Sequence, residues 1–113
     1  MSILITGSNG LLGQKIVRQL LKDGKSFIAT SRGENRNPDC PNSHYHPLDI
    51  TSESEIKALV AEHEVSSIIN TAAMTNVDAC EEDENNCRLI NVQAVQNLHN
   101  VAKENNIHLV HLS

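Results

Sequence analysis

Three glycines at three-residue intervals follow a short apolar run near the start of the chain. The run Ile3-Leu4-Ile5-Thr6 has the length and the isoleucine content of a buried strand, and Gly7, Gly10 and Gly13 come directly after it. Beyond the last glycine, apolar residues recur at helical spacing as far as Leu21. A strand, a glycine turn and a helix in this order begin a β-α-β unit, so we predict a parallel sheet.

Each glycine has a separate physical role in such a turn. Gly7 permits the sharp exit from the strand, Gly10 lets a ligand approach the backbone, and Gly13 lets the helix pack closely on the strand. The free N–H groups at the helix start, together with the helix dipole, attract phosphate. We therefore predict a pyrophosphate-binding loop made of Gly7, Ser8, Asn9, Gly10, Leu11, Leu12 and Gly13; a glycine-rich turn without a ligand is the alternative. The G-x-x-G-x-x-G spacing resembles that of the short-chain dehydrogenase/reductase superfamily, particularly its extended branch.

Strand-like and helix-like apolar patterns alternate through the rest of the chain. Strands are predicted at Phe27–Thr30, within His44–Leu48, at Val65–Ile69 and at Leu109–Leu112. The polar stretch between residues 33 and 46 is predicted to be a loop that contains the start of the third strand. This alternation predicts parallel strands joined by right-handed crossovers.

Two further helices are predicted between these strands. The first begins at a capping box of Ser52 and Glu55, and the second follows the acidic stretch Asp78–Glu84. The apolar stripe of the second helix is expected to be Leu89, Val92, Val95, Leu98, Val101 and Ala102. We predict one α/β domain over residues 1–113, a Rossmann-type doubly wound parallel sheet with flanking helices. Because the last strand is apolar and has no covering helix after it, we expect a partial domain, cut after about the fifth strand.

Composition and charge argue against several classes of function. The net charge of −5 disfavours a nucleic-acid partner, which would require clustered Lys and Arg. No apolar stretch reaches the roughly 18 residues of a membrane span, and the first residues lack a signal-peptide pattern. Neither the three cysteines nor the six scattered histidines form a recognisable ligand set, so no metal site is expected. We expect a cytoplasmic protein without membrane or nucleic-acid partners; a homo-oligomer is compatible with the sequence.

The residue that ends the second strand bears on which dinucleotide is bound. In a Rossmann unit an acidic residue there bonds the adenosine 2′-hydroxyl, whereas a basic residue accepts a 2′-phosphate. Here Ser31 and Arg32 occupy that position, which favours NADP(H) and leaves NAD(H) open; for Arg32, a solvated loop charge is the alternative. The superfamily resemblance further implies that Asp49 and Ile50 contact the adenine, with a turn or capping role as the alternative for Asp49.

Three segments narrow the resemblance to one family. Asn70-Thr71-Ala72-Ala73-Met74-Thr75-Asn76-Val77-Asp78-Ala79-Cys80-Glu81, Leu89-Ile90-Asn91-Val92 and Leu109-Val110-His111-Leu112-Ser113 resemble the dTDP-4-dehydrorhamnose reductase family. The resemblance implies that Ala72, Ala73 and Met74 line the nicotinamide side of the cofactor, although Met74 departs from the aromatic residue or histidine often found there. It also implies that Asn91 supports a proton relay, for which a helix Asn bonded to nearby backbone is the alternative. Ser113 would lie next to the catalytic hydroxyl.

The same resemblance implies a reaction: hydride transfer from a nicotinamide to a dTDP-4-keto-6-deoxy sugar, giving dTDP-rhamnose. A Tyr-x-x-x-Lys pair would supply the proton. The chain has one tyrosine, Tyr45, and Asp49 lies four residues later, so no catalytic residue is assigned here and these 113 residues alone are expected to be inactive. The alternatives are a non-catalytic NAD(P)-binding regulatory subunit and a nucleotide-sugar epimerase or dehydratase of the same branch.

Overall fold

The computed structural model describes residues 2–71 and 84–111, with side chains from Val92 onward in the second segment. Strands and helices alternate along it, and a short 3-10 turn at Asn42–His44 precedes the third strand. The elements are β1 (Ser2–Thr6), α1 (Leu11–Lys22), β2 (Phe27–Ser31), β3 (Tyr45–Pro47), α2 (Glu53–His63), β4 (Val65–Asn70), α3 (Glu84–Glu104) and β5 (His108–His111).

The five strands form one parallel sheet in the order β3-β2-β1-β4-β5. Thr6 at the end of β1 lies level with Thr30 of β2 on one side and with Asn70 of β4 on the other. The chain therefore winds outward from β1 in both directions, and β1 is the switch point of the sheet. In open α/β sheets the crevice beyond the carboxyl ends of the strands at this point is the usual ligand site.

Helices cover both faces of the sheet, which confirms the doubly wound prediction. Successive residues of β1 point to opposite faces, so Leu4 packs in the core under α2 and α3 while Ile5 packs in the core under α1. Both side chains are fully buried, as are Val17 of α1, Ile56 of α2 and Leu98 of α3. The core under α2 and α3 is entirely aliphatic, whereas the core under α1 also contains Phe27 and Cys40.

A glycine follows the end of α1, and the capping box predicted at the start of α2 is present in part. Gly24, at φ +65°, follows the end of α1, and its N–H donates to the carbonyl oxygen of Leu21 at 3.2 Å. At α2 the Ser52 hydroxyl accepts from the N–H of Glu55 at 3.4 Å, as predicted. The N–H of Ser52 donates to the carbonyl oxygen of Asp49 at 3.0 Å, so the turn rather than a glutamate side chain satisfies it.

The predicted apolar stripe of α3 is partly wrong. Val92 is 67% exposed and Val95 is half-buried, whereas Ala94 is 2% exposed and joins Leu98 and Val101 in the buried stripe. Positions 94, 98 and 101 share one face at helical spacing, and Val92 and Val95 lie off it. Among the described residues, no helix is both long and apolar enough to cross a bilayer.

Candidate functional site

Parallel strands bring the predicted site residues to one edge of the sheet. Gly7 follows β1, Ser31 ends β2 and is followed by Arg32, and Asp49 lies just past β3. Because all the carboxyl ends of the strands point the same way, these residues meet in the crevice beside the switch point. Contact between two of them is direct: Nη2 of Arg32 lies 3.6 Å from Oδ1 of Asp49.

The three glycines of the loop differ in backbone conformation and in whether a Cβ would fit at their positions. Gly7 has φ +81°, a left-handed conformation that favours glycine. A Cβ on Gly13 would lie 2.2 Å from the carbonyl oxygen of Gly7 and 2.8 Å from Cα of Ser8, so the first turn of α1 packs directly on the loop backbone. A Cβ on Gly10 would meet nothing closer than 3.5 Å. The space in front of Gly10 is thus not required by the protein's own packing.

The N-terminus of α1 is bare, in contrast to that of α2. Its N-cap is Gly10, which supplies no side-chain hydrogen bond, and its first turn contains no acidic residue. By comparison, α2 has Ser52 as a cap and both Glu53 and Glu55 in its first turn. A helix start without a cap leaves N–H donors and a partial positive charge for an external anion. Leu11, in the same turn, is 81% exposed.

Ser8 is a buried residue of the glycine loop that is hydrogen-bonded to neighbouring segments. The residue is fully buried, its N–H donates to the carbonyl oxygen of Thr30 at 3.0 Å, and its own carbonyl oxygen accepts from Nδ2 of Asn37 at 3.1 Å. Its hydroxyl oxygen is buried without a partner among the described residues. These bonds tie the glycine loop to β2 and to the segment after it, and direct contact of Ser8 with a ligand stays a prediction.

Asn9 fastens the segment that follows β2 onto the glycine loop. Its side chain donates from Nδ2 to the carbonyl oxygen of Glu34 at 2.9 Å and accepts the N–H of Arg36 on Oδ1 at 2.7 Å. Gln14 of α1 donates from Nε2 to the carbonyl oxygen of Asn9 at 2.8 Å. The sequence predicted Asn9 as a cofactor contact; the structure gives its carboxamide a protein-bonding role that spacing does not reveal.

Tyr45, on β3, bonds to the backbone at the end of β2. Its hydroxyl lies 2.6 Å from the carbonyl oxygen of Gly33 and 3.0 Å from that of Ser31, and its single proton is shared between them. Burial raises the pKa of the Tyr45 hydroxyl, and the positive charge of Arg36 is among the influences that lower it. The hydrogen bond to Ser31 lowers this pKa more than the charge of Arg36 does, and both act at the end of β2.

The carboxylate of Asp49 both forms a turn and faces Arg32. Its Oδ1 accepts the N–H of Thr51 at 3.0 Å and the Thr51 hydroxyl at 2.6 Å, in addition to lying near Arg32. The Thr51 bonds first, and the Arg32 charge to a lesser degree, hold the pKa of this carboxyl below its ordinary value. The turn role that the sequence left open for Asp49 is present, and its adenine contact stays a prediction.

The neighbouring Ile50 is half-buried and packs on the core under α2 and α3. Nδ2 of Asn97, a buried residue of α3, donates to the carbonyl oxygen of Ile50 at 3.1 Å. The helix thereby holds the backbone that follows β3 in place. The sequence gave no signal for Asn97, because a polar residue on a helix is usually solvated.

A polar network joins the ends of β1, β4 and β5. Thr71 donates from its hydroxyl to the carbonyl oxygen of Thr6 at 2.7 Å, and its N–H reaches the same oxygen at 3.1 Å. The Thr6 hydroxyl donates to Oδ1 of Asn70, whose Nδ2 donates to Nδ1 of His111 at 3.0 Å. The chain leaving β4 is therefore fixed to the start of the glycine loop.

The structure does not describe the side chains of several predicted site residues. Ala72, Ala73, Met74 and Ser113 fall outside the described residues, and Asn91 lies in α3 where side chains are not described. The structure thus brings together the phosphate and adenosine portions of the predicted site. Contact of these residues with a cofactor stays a prediction, as do the roles assigned to the nicotinamide side.

The parallel sheet, its switch point at β1 and the glycine loop at that point define a Rossmann-type α/β domain. The family described as the RmlD substrate binding domain matches residues 1–113, and the chain belongs to that family. A probable low-salt glycan biosynthesis reductase, Agl14, from Haloferax volcanii is 34% identical over 100% of this chain and 37% of its own length. A dTDP-4-dehydrorhamnose reductase from Aggregatibacter actinomycetemcomitans is 28% identical over 98% of this chain and 34% of its own.

A solved structure gives the same architecture. The L-threonine dehydrogenase of Clostridium difficile superposes with a TM-score of 0.87 at 25% identity, over 97% of this chain and 35% of that one. The similarity confirms the predicted fold class. The chain spans about a third of the length of the proteins it matches.

Proposed function

We propose that the chain forms the cofactor-binding part of an NAD(P)H-dependent nucleotide-sugar reductase, which reduces dTDP-4-dehydrorhamnose to dTDP-rhamnose. The observation that carries the proposal is the bare N-terminus of α1 behind Gly10 at the switch point of the sheet. The family membership and the names of its relatives support the class of substrate.

The residues present fit a dinucleotide. A pyrophosphate in front of Gly10 would receive the N–H groups of the first turn of α1, and even a Cβ on Gly10 would meet no protein atom closer than the carbonyl oxygen of Gly7 at 3.5 Å. Arg32 and Asp49 would hold the adenosine end, beyond β2 and β3. When bound, the nicotinamide supplies the hydride. The chain's own part is to bind and orient the cofactor by hydrogen bonds that are in place beforehand.

We expect NADPH to bind at least as tightly as NADH. No acidic residue ends β2, and Ser31 and Arg32 offer a hydroxyl and a cation to a 2′-phosphate. Replacing Arg32 with Asp removes that cation and adds repulsion, so the preference should move toward NADH by about tenfold or more. Calorimetric titration of the full-length protein with each cofactor measures this.

The control for this comparison is Lys57→Asp on the exposed face of α2. It makes the same change of charge at a residue whose described ion pair is with Glu104 of α3, away from the glycine loop. Its ratio of NADPH to NADH affinity should stay at the wild-type value. A wild-type protein that strongly prefers NADH would show that Arg32 does not read the ribose.

We expect the 113-residue chain alone to lack reductase activity. Its one tyrosine, Tyr45, directs its hydroxyl at the carbonyl oxygens of Ser31 and Gly33, and burial raises its pKa, so it is a poor proton donor to a sugar. General acid catalysis contributes roughly 10²–10⁴-fold, and the rate should fall by at least the lower figure. The assay is NADPH oxidation with dTDP-4-dehydrorhamnose, with a complete dTDP-4-dehydrorhamnose reductase measured in parallel.

Turnover by these 113 residues at a comparable rate would contradict the expectation. The same assay on the full-length protein separates the enzyme from a regulatory subunit. Cofactor binding without turnover on any dTDP-4-keto sugar would favour the regulatory subunit.

A further inference from the structure

We infer that Arg36, a residue of the segment after β2, is the principal cation that recognises the adenosine 2′-phosphate of NADP(H). The inference rests on the proposed function and names the specificity-determining residue within it. Arg32, which its position at the end of β2 would favour, is then a secondary contact of the 2′-phosphate.

The backbone of Arg36 is bonded to the glycine loop. Oδ1 of Asn9 accepts the N–H of Arg36 at 2.7 Å, and Asn9 stands between Gly7 and Gly10 in the loop proposed to bind the pyrophosphate. The second hydrogen bond of Asn9, to the carbonyl oxygen of Glu34 at 2.9 Å, fixes the direction of the segment. The backbone of Arg36 is therefore held one side-chain length from the glycine loop.

Asparagine side chains hold the segment after β2 in its conformation through hydrogen bonds to the backbone. Oδ1 of Asn35 accepts the N–H of Asn37 at 3.0 Å, and Oδ1 of Asn37 accepts the N–H of Asp39 at 2.9 Å. Asn37 is also bonded to the carbonyl oxygen of Ser8, beneath the glycine loop. Because these bonds form within the protein, little ordering of the backbone remains for a ligand to induce, which favours affinity.

Arg36 differs from two other arginines of this region in its ion pairing. Among the described residues, Arg18 pairs with Asp39 at 2.8 Å and Arg32 lies 3.6 Å from Asp49, whereas Arg36 is exposed and makes no ion pair. A phosphate that approaches Arg32 must share it with a carboxylate that the Thr51 bonds keep ionised. A phosphate that approaches Arg36 meets an unshared guanidinium, which can donate two parallel N–H bonds.

Arg36 also acts near the expected position of the ribose. The Arg36 charge is felt at the Tyr45 hydroxyl, and this hydroxyl lies 2.6 Å from the carbonyl oxygen of Gly33, two residues beyond the end of β2. In a Rossmann unit this is where the adenosine ribose lies. The backbone of Arg36 thus lies against the glycine loop, and its charge acts near the end of β2, where a 2′-phosphate would lie.

The test compares NADP⁺ with NAD⁺, which differ only by the 2′-phosphate, by calorimetric titration of the full-length protein. Arg36→Gln should weaken NADP⁺ binding at least tenfold and change NAD⁺ binding less than twofold. Arg36→Lys, which keeps the charge and loses the fork, should give an intermediate loss. The matched control is Arg18→Gln, which removes an equal charge from an exposed arginine already paired with Asp39, and it should change neither affinity more than twofold.

Several results would overturn the inference. An unchanged NADP⁺ affinity in Arg36→Gln, or an equal loss for both nucleotides, overturns the inference and leaves the proposed function standing. A larger selective loss in Arg32→Gln than in Arg36→Gln overturns it too, in favour of the residue at the strand end. A wild-type protein that binds neither nucleotide removes the proposed function and the inference with it. Unchanged melting temperatures confirm that the variants are folded.

Discussion

Replacing Gly13 with alanine is expected to destabilise the domain by about 3 kcal/mol, at the upper end of the cost of overpacking. The added Cβ would lie 2.2 Å from the carbonyl oxygen of Gly7 and 2.8 Å from Cα of Ser8. Both obstacles are backbone atoms, so relief requires α1 to move away from the end of β1. Thermal unfolding followed by circular dichroism should show a fall of about 10 °C or more in melting temperature.

Gly24→Ala is the control for this experiment. Gly24 has φ +65°, but a Cβ there would meet nothing within 4 Å. The substitution therefore carries only the conformational cost of a left-handed residue, about 1–2 kcal/mol. If the two variants lose equal stability, the close packing of α1 on the glycine loop is not the reason that Gly13 is a glycine.

Replacing Gly10 with valine is expected to weaken dinucleotide binding at least tenfold, about 1.4 kcal/mol, while the domain stays folded. Gly10 has φ −76° and ψ 167°, an extended conformation that valine adopts readily. Its Cβ would lie 3.5 Å from the nearest protein atom, so the side chain projects into the space proposed for the pyrophosphate. Calorimetric titration of the full-length protein with NADPH measures the loss.

Two further variants serve as comparisons for Gly10→Val. Gly10→Ala should produce a smaller loss than Gly10→Val, because a single methyl group obstructs less of the approach. Leu11→Ala changes an exposed side chain of the same turn without obstructing the N–H groups, and binding should change much less. Unchanged NADPH affinity in a folded Gly10→Val protein would mean that the phosphates do not lie over this loop.

Most of the fold was predictable because its signals are local. The strand before Gly7, the helix after Gly13 and the stop at Gly24 follow from apolar period and glycine conformation, which depend on near neighbours in the chain. The alternation of strands and helices then leaves few topologies, since parallel crossovers are right-handed. The stripe of α3 was predicted less well, because apolar side chains at several positions compete and only contact with the sheet selects the buried face.

The candidate site likewise combines features that the sequence predicts with features that only the tertiary structure sets. The sequence by itself determined the glycine loop and the absence of an acid at the end of β2, since each is a property of adjacent residues. Only the tertiary structure placed Arg36 beside the glycine loop through Asn9 and opposed Arg32 with Asp49. Those contacts join residues 17 to 27 positions apart, and a hydrogen bond or an ion pair depends on distances that are set when the strands are aligned in the sheet.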